Sequence, residues 1–200
     1  MTVCETIRHM TRPAILECVA TDMGMFKKVK TMHAAHVLGG AMNGVGGDVN
    51  IHRSLLDLLK DINGFCVFLM GGEWGGALLE MPGFEGMAGL KSDFRAVVEI
   101  CSNIIGGYKN GFCDEMKDIV PIGVFGLNSD YLVMSGERVA ILEKEWLSDP
   151  DLSVADMDFW ESLDDFFEYL LLNLEGFLGS YWRCVDEDGT QYVVEKVQYL

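Results

Sequence analysis

Between His52 and Met70 the apolar residues change period across a single dipeptide, and that change restricts the fold more than any other feature of the chain. Leu55, Leu58, Leu59 and Ile62 recur at the spacing that puts them on one face of a helix. Ser54, with Asp57 three residues on, reads as a capping box that opens it. Asn63-Gly64 follows, two residues that tolerate the left-handed backbone on which helices end. Phe65 to Met70 then runs apolar without alternation, as a strand covered on both faces does. A helix running straight into such a strand calls for a sheet with helices packed against it.

Elements of both kinds continue along the chain. Ser92 is the expected start of a second helix, with Phe94, Val97, Val98, Cys101, Ile104 and Ile105 as its apolar stripe and Gly106-Gly107 as its stop. Gly71 to Gly76 reads as a turn and Ala77–Glu80 as a returning strand. Ile119–Phe125 is a strand with Pro121 near its beginning, and Tyr131–Met134 pairs with Arg138–Leu142 around Ser135-Gly136. Ser162 and Asp165 form another capping box, before a helix that buries Leu163, Phe166, Phe167, Leu170 and Leu174. Tyr181–Val185 and Thr190–Val197 flank Asp186-Glu187-Asp188-Gly189 as a terminal hairpin. Ala14–Ala20 reads as helical. The glycine-rich stretch Gly39 to Asp48 reads as a flexible connection, because a phosphate loop needs a lysine and a hydroxyl where Asp48 stands. There is no strict alternation of strand and helix and no break in composition. The expected fold is therefore α+β, one domain with a mostly antiparallel sheet packed against helices. Residues 1–51 are expected as an N-terminal extension packed on the core, 52–175 as the core, and 176–200 as a hairpin completing it.

The chain has 200 residues, half of them hydrophobic, and a mean hydropathy of +0.19. Its apolar runs stay far short of the ~20 residues that a membrane helix needs. Met1 to Pro13 carries Arg8 and Arg12 with no apolar stretch behind them, unlike a secretory signal. The six cysteines are scattered and no two form a C-x-x-C pair, which suits buried thiols in a reducing compartment. A cytoplasmic protein is expected. The net charge is −16, and residues 141–200 hold 15 acidic against three basic side chains, a balance of −12. Such a field repels phosphate backbones and anionic lipid and attracts basic surfaces. No nucleic-acid or membrane partner is expected.

Four places offer side chains with chemical potential. His33-x-x-His36 would set two imidazoles on one helical face, but its nearest third ligand is Asp48, across the glycines. Cys113 sits beside Asp114 and Glu115, which raise a thiol pKa rather than lower it. The carboxylates Asp149, Asp151, Asp156, Asp158, Glu161 and Glu168 read as a solvated face or a docking face for a basic protein, not as an acid–base pair. Asp164 and Asp165 belong to the first turn of their helix and are accounted for by capping. Glu73-Trp74, in its glycine turn, is a candidate recognition pair, since tryptophan is enriched at binding hot spots. Neither an enzyme, a metal nor a cofactor is expected.

The order of elements resembles the SUKH superfamily over about residues 52–175. Leu55–Gly64, running straight into a strand, is similar to the start of that core. Ile119-Val-Pro121-Ile122-Gly123, then Asn128–Met134, Gly136 and Arg138–Glu143, resembles its centre, and Ser162–Leu174 its closing helix. The resemblance implies an α+β domain without an active site that acts through protein contacts. Many such proteins are bacterial immunity proteins that neutralise a cognate toxin, often a basic nuclease. A eukaryotic branch regulates cell-wall assembly as a signalling hub. A viral branch, in herpesviruses and other large DNA viruses, counters host defence proteins and would work in the host-cell cytoplasm. An inhibitor of a basic protein effector is the leading expectation, a viral antagonist the alternative, and a metal- or thiol-dependent enzyme the remaining one.

Overall fold

The computed structural model describes residues 2–21, 29–39, 51–69, 77–105, 116–126, 128–149, 153–181, 184–185 and 187–200. In chain order its elements are α1 (Val3–Met10), β1 (Ala14–Ala20), β2 (Val29–Leu38), α2 (Arg53–Asp61), β3 (Phe65–Leu69), β4 (Leu79–Met81) and α3 (Phe84–Ile105). Then follow β5 (Val120–Phe125), β6 (Asp130–Ser135), β7 (Arg138–Leu142), α4 (Leu163–Leu172), α5 (Leu174–Tyr181), β8 (Cys184–Val185) and β9 (Gln191–Tyr199). The strands make one sheet in the order β7-β6-β5-β4-β3-β2-β1-β9-β8, and every pairing is antiparallel. The chain is α+β.

At the β5–β7 end the sheet is buried on both faces. Along β6, Tyr131 and Val133 enter a core with Phe94, Val98, Met116 and Leu147. Leu132 and Met134, between them, enter a second core with Leu55, Phe125, Phe166 and Phe167. Successive side chains of a strand point to opposite faces, so an apolar strand without alternation serves two cores. At the β1–β9 end alternation returns: Ala14, Leu16 and Cys18 are buried while Glu17 is exposed. Opposite Glu17 and Cys18 the pairing with β9 shifts at Glu195, and the buried parity of β9 changes with it. Tyr192 and Val194 face the core before the shift, Val197 and Tyr199 after it. One extra residue moves everything beyond it to the other face.

Several expected elements are corrected. Ala14–Ala20 is a strand, not a helix, because both its edges are paired, to β2 and to β9. Helix α2 is capped by His52, not Ser54. The extended backbone of His52 places its imidazole to accept the Ser54 N–H at 3.3 Å, so Ser54 lies inside the first turn. Asp57 turns to Lys60 at 2.8 Å and Arg53 at 3.6 Å. Gly64 does take positive φ, at 90°. Helix α3 begins at Phe84, eight residues before Ser92. The Asn63 side-chain oxygen accepts the Phe84 N–H at 2.7 Å, and buried Met87 extends the apolar stripe towards the N-terminus. Tyr181 ends α5 rather than opening a strand, and among the described residues the terminal hairpin pairs Cys184–Val185 with β9. Pro121, in an inner strand, sits where the pairing of β5 with β6 shifts, a place that tolerates its missing N–H. The turn at Gly71–Gly76, the stop at Gly106-Gly107 and residues 40–48 of the glycine stretch lie outside the described residues.

Candidate functional site

After β7 the chain runs along the open edge of the sheet. Leu147 and Met157 plug into the core beneath α3, and Trp160 exchanges backbone hydrogen bonds with Val139 of β7, at 2.9 and 2.8 Å. Through that bridge this strap pairs one position of an edge whose free N–H and C=O groups would otherwise invite another strand. Its anchors decide what lies outside. Asp149, Asp156, Asp158 and Glu161 are all exposed, set between the buried residues that hold the strap down. Asp151 lies outside the described residues, as do Glu73, Trp74 and Cys113.

Helix α4 supplies the other side of the site. The Ser162 hydroxyl accepts the Asp165 N–H at 3.2 Å, the serine half of the expected capping box, and it donates to the Asp165 carboxylate at 2.6 Å. Leu163, Phe166, Phe167 and Leu170 face inward. Asp165, Glu168, Tyr169 and Leu172 form the opposite stripe, at spacings of three and four, and all four are exposed. Asp164 accepts the Val3 N–H, at the start of α1, at 3.0 Å. Its charge thereby meets the positive end of a second helix. Two acids of this helix thus have structural partners, and Glu168 remains for solvent.

The site that this packing assembles is aromatic as well as acidic. Trp160 lies 5.6 Å from Tyr169, Tyr169 lies 5.8 Å from Phe177, and Phe177 lies 5.9 Å from Tyr181, between ring centroids. Fully buried Phe166 and Phe125 support them from below, Phe166 edge-on to Trp160 and Phe125 edge-on to Phe177 and Tyr181. Tyr169 is 45% exposed, and the other three rings are half-buried. Glu161 follows Trp160 in the chain, and Glu168 precedes Tyr169 on the helix. Burial, with Glu143 and Asp130 adding to it, pushes the Tyr181 phenol pKa up. Of the expected docking residues, Glu161 and Glu168 are exposed on the same strap and helix that carry Trp160 and Tyr169, and Asp149, Asp156 and Asp158 lie along the strap. Sequence reading missed the rings themselves. The one available signal was Tyr169, an aromatic off its helix's apolar stripe.

Other chemistry is weak where it is described. His33 and His36 lie in strand β2, so the helical spacing that suggested a pair does not exist. Among the described residues no group of three His, Cys, Asp or Glu could hold a metal ion. Burial, then Asp61, raises the Cys4 thiol, and burial, then Glu80, pushes Cys66 up to about 11. An activated thiol is shifted the other way. Ser54, His52 and Glu137 stand in a row, Ser54 Oγ 2.9 Å from Nδ1 and Glu137 3.5 Å from Nε2. That imidazole nitrogen already accepts the Ser54 backbone N–H, and Glu137 is 73% exposed, so the row caps a helix rather than activating a hydroxyl. No helix among the described residues is long and apolar enough to cross a membrane.

No family model, curated protein or solved structure matches the chain. Fold and site together define an α+β domain with one exposed and three half-buried aromatic rings on an acidic strap and helix pair.

Proposed function

We propose that the chain is a SUKH-type protein-binding domain without catalysis, which neutralises a basic protein effector as an immunity or inhibitor protein does. The observation that carries this is the Trp160–Tyr169 ring pair on a strap and helix whose Glu161, Asp165 and Glu168 are exposed. Tyrosine and tryptophan dominate binding hot spots, and a surrounding field of one sign steers an oppositely charged partner to them. Between residues 143 and 181 the sequence has eleven acids and one base, Lys144. The path from α2 into β3, through β5–β7 to α4, supports the SUKH-type reading by its order.

Affinity capture from the native host tests this. A basic protein is expected in stoichiometric yield, with binding that weakens at least about tenfold as salt shortens the screening length from ~30 to ~8 Å. Absence of a protein partner, or binding indifferent to salt, would overturn it. The alternative, an antagonist of a host defence protein in a large DNA virus, is favoured by β1, β2 and β9. These strands lie outside the resemblance yet occupy inner positions of the sheet. Capture of a host defence protein rather than a toxin distinguishes the two.

A further inference from the structure

Resting on the protein-binding reading above, we infer that the ring surface of Trp160, Tyr169, Phe177 and Tyr181 seats an arginine side chain of the partner. Its guanidinium lies against the rings and donates to Glu161 or Glu168. The chain uses this chemistry elsewhere with its own cations. Arg138 lies over the Phe159 ring at 4.5 Å, and Lys144 over Tyr131 at 5.3 Å. No described cation lies over the four rings of the site, and Lys144, the one base between residues 143 and 181, is engaged at Tyr131. Among the described residues, then, the chain offers these rings no cation of its own. The rings are inclined to their neighbours by 45°, 82° and 31°, so they offer both faces and edges, not one flat platform. Arginine fits this better than lysine. Its planar group stacks on one ring while its fork of N–H donors reaches a carboxylate at the side, and it gives up hydration more readily than a compact ammonium.

The inference can be read without the effector. The probe is a blocked glycine-arginine-glycine peptide, with lysine and citrulline counterparts, titrated into the full chain at low salt while the indole and backbone N–H resonances are followed by NMR. The arginine peptide is expected to shift the Trp160 indole, assigned through Trp160→Phe, and the Tyr169 amide. It should bind about tenfold more tightly than the citrulline peptide and severalfold more tightly than the lysine one. Tyr169→Ala and Glu168→Gln, both at exposed positions, should each weaken it about fivefold while both variants stay folded under the conditions of the titration. Asp156→Asn, on the strap, should leave it unaltered. Equal binding of the citrulline peptide, affinity within twofold after Tyr169→Ala, or shifts confined to the strap would each overturn the inference. An effector that binds just as well to Tyr169→Ala would overturn it too, while leaving the protein-binding reading intact. Arginine binding with no effector captured would sink that reading alone.

Discussion

Two glycines with the same backbone requirement should respond very differently to a methyl group. Gly64 and Gly136 both hold positive φ, at 90° and 64°. A Cβ at Gly136, in the β6–β7 turn, would meet nothing within 4 Å. At Gly64, between α2 and β3, it would stand 2.6 Å from the Gly83 backbone nitrogen and 3.2 Å from the Met81 carbonyl oxygen. Left-handed backbone costs a non-glycine residue about 1–2 kcal/mol. Part of this, about 0.4–1 kcal/mol, is offset by the smaller entropy of the unfolded alanine chain. Gly136→Ala should therefore cost about 1 kcal/mol. Gly64→Ala adds an overlap with main chain, which cannot swing aside as a side chain can, and overpacking costs about 1–3 kcal/mol more. The blocking atom also belongs to the junction where Asn63 Oδ1 accepts the Phe84 N–H and opens α3, so relief by movement would lengthen that bond. The expected total at Gly64 is about 3 kcal/mol. Urea unfolding of both variants by circular dichroism gives the comparison, with midpoints converted at a common slope. A thermal scan should show losses of about 3 °C and about 10 °C, at ~2–4 °C per kcal/mol for a chain of this size. Costs that agree within about 0.5 kcal/mol would show that backbone conformation alone governs both sites, and the close approach at Gly64 would carry no weight.

Three further outcomes follow from the site and its surroundings. Ser162→Ala removes the cap on α4 and should cost about 1 kcal/mol in urea unfolding, while Ser162→Asp should restore most of it. Phe166→Ala, at a fully buried ring touching Trp160, Phe125 and Phe167, should cost about 3–5 kcal/mol, and Tyr169→Ala under about 1 kcal/mol; similar losses for the two would contradict their placement. The Cys66 thiol, raised from 9.0 to about 11 chiefly by burial, holds its proton more firmly folded than unfolded. Its contribution to stability is complete below pH 9.0 and is lost as pH rises from there through about 11. Unfolding midpoints across that range should fall less steeply for Cys66→Ala than for the parent chain, and parallel slopes would contradict the assignment.

Much of the fold was legible where the decisive contacts are local. The cap at Ser162 and the stripe Leu163-Phe166-Phe167-Leu170 could be read from spacing because a helix brings residues three and four apart together wherever it lies. The β6–β7 hairpin could be read from the glycine at 136, although the two-residue turn is Gly136-Glu137, one residue later than Ser135-Gly136, because Ser135 pairs with Arg138. Ala14–Ala20 could not. Short and apolar, it is compatible with either period, and its partners Gln191–Tyr199 lie at the far end of the chain. The start of α3 was hidden for a similar reason: Met81-Pro82-Gly83 looks like loop, and the group that caps Phe84 belongs to Asn63.

The site divides in the same way. Sequence alone determined its sign, because eleven acids and one base between residues 143 and 181 stay acidic however they pack. It also determined that Asp165 would serve a helix start before anything else. Which aromatic rings gather on that acidic segment was decided only by the tertiary structure. Trp160 is held by Val139 across a sheet edge, Tyr169 is turned outward by the burial of Phe166 and Phe167, and Phe177 and Tyr181 arrive on a second helix over Phe125. Charge is a property of composition and survives any folding. A surface is a property of neighbours, and these neighbours come from β5, β7, the strap and two helices.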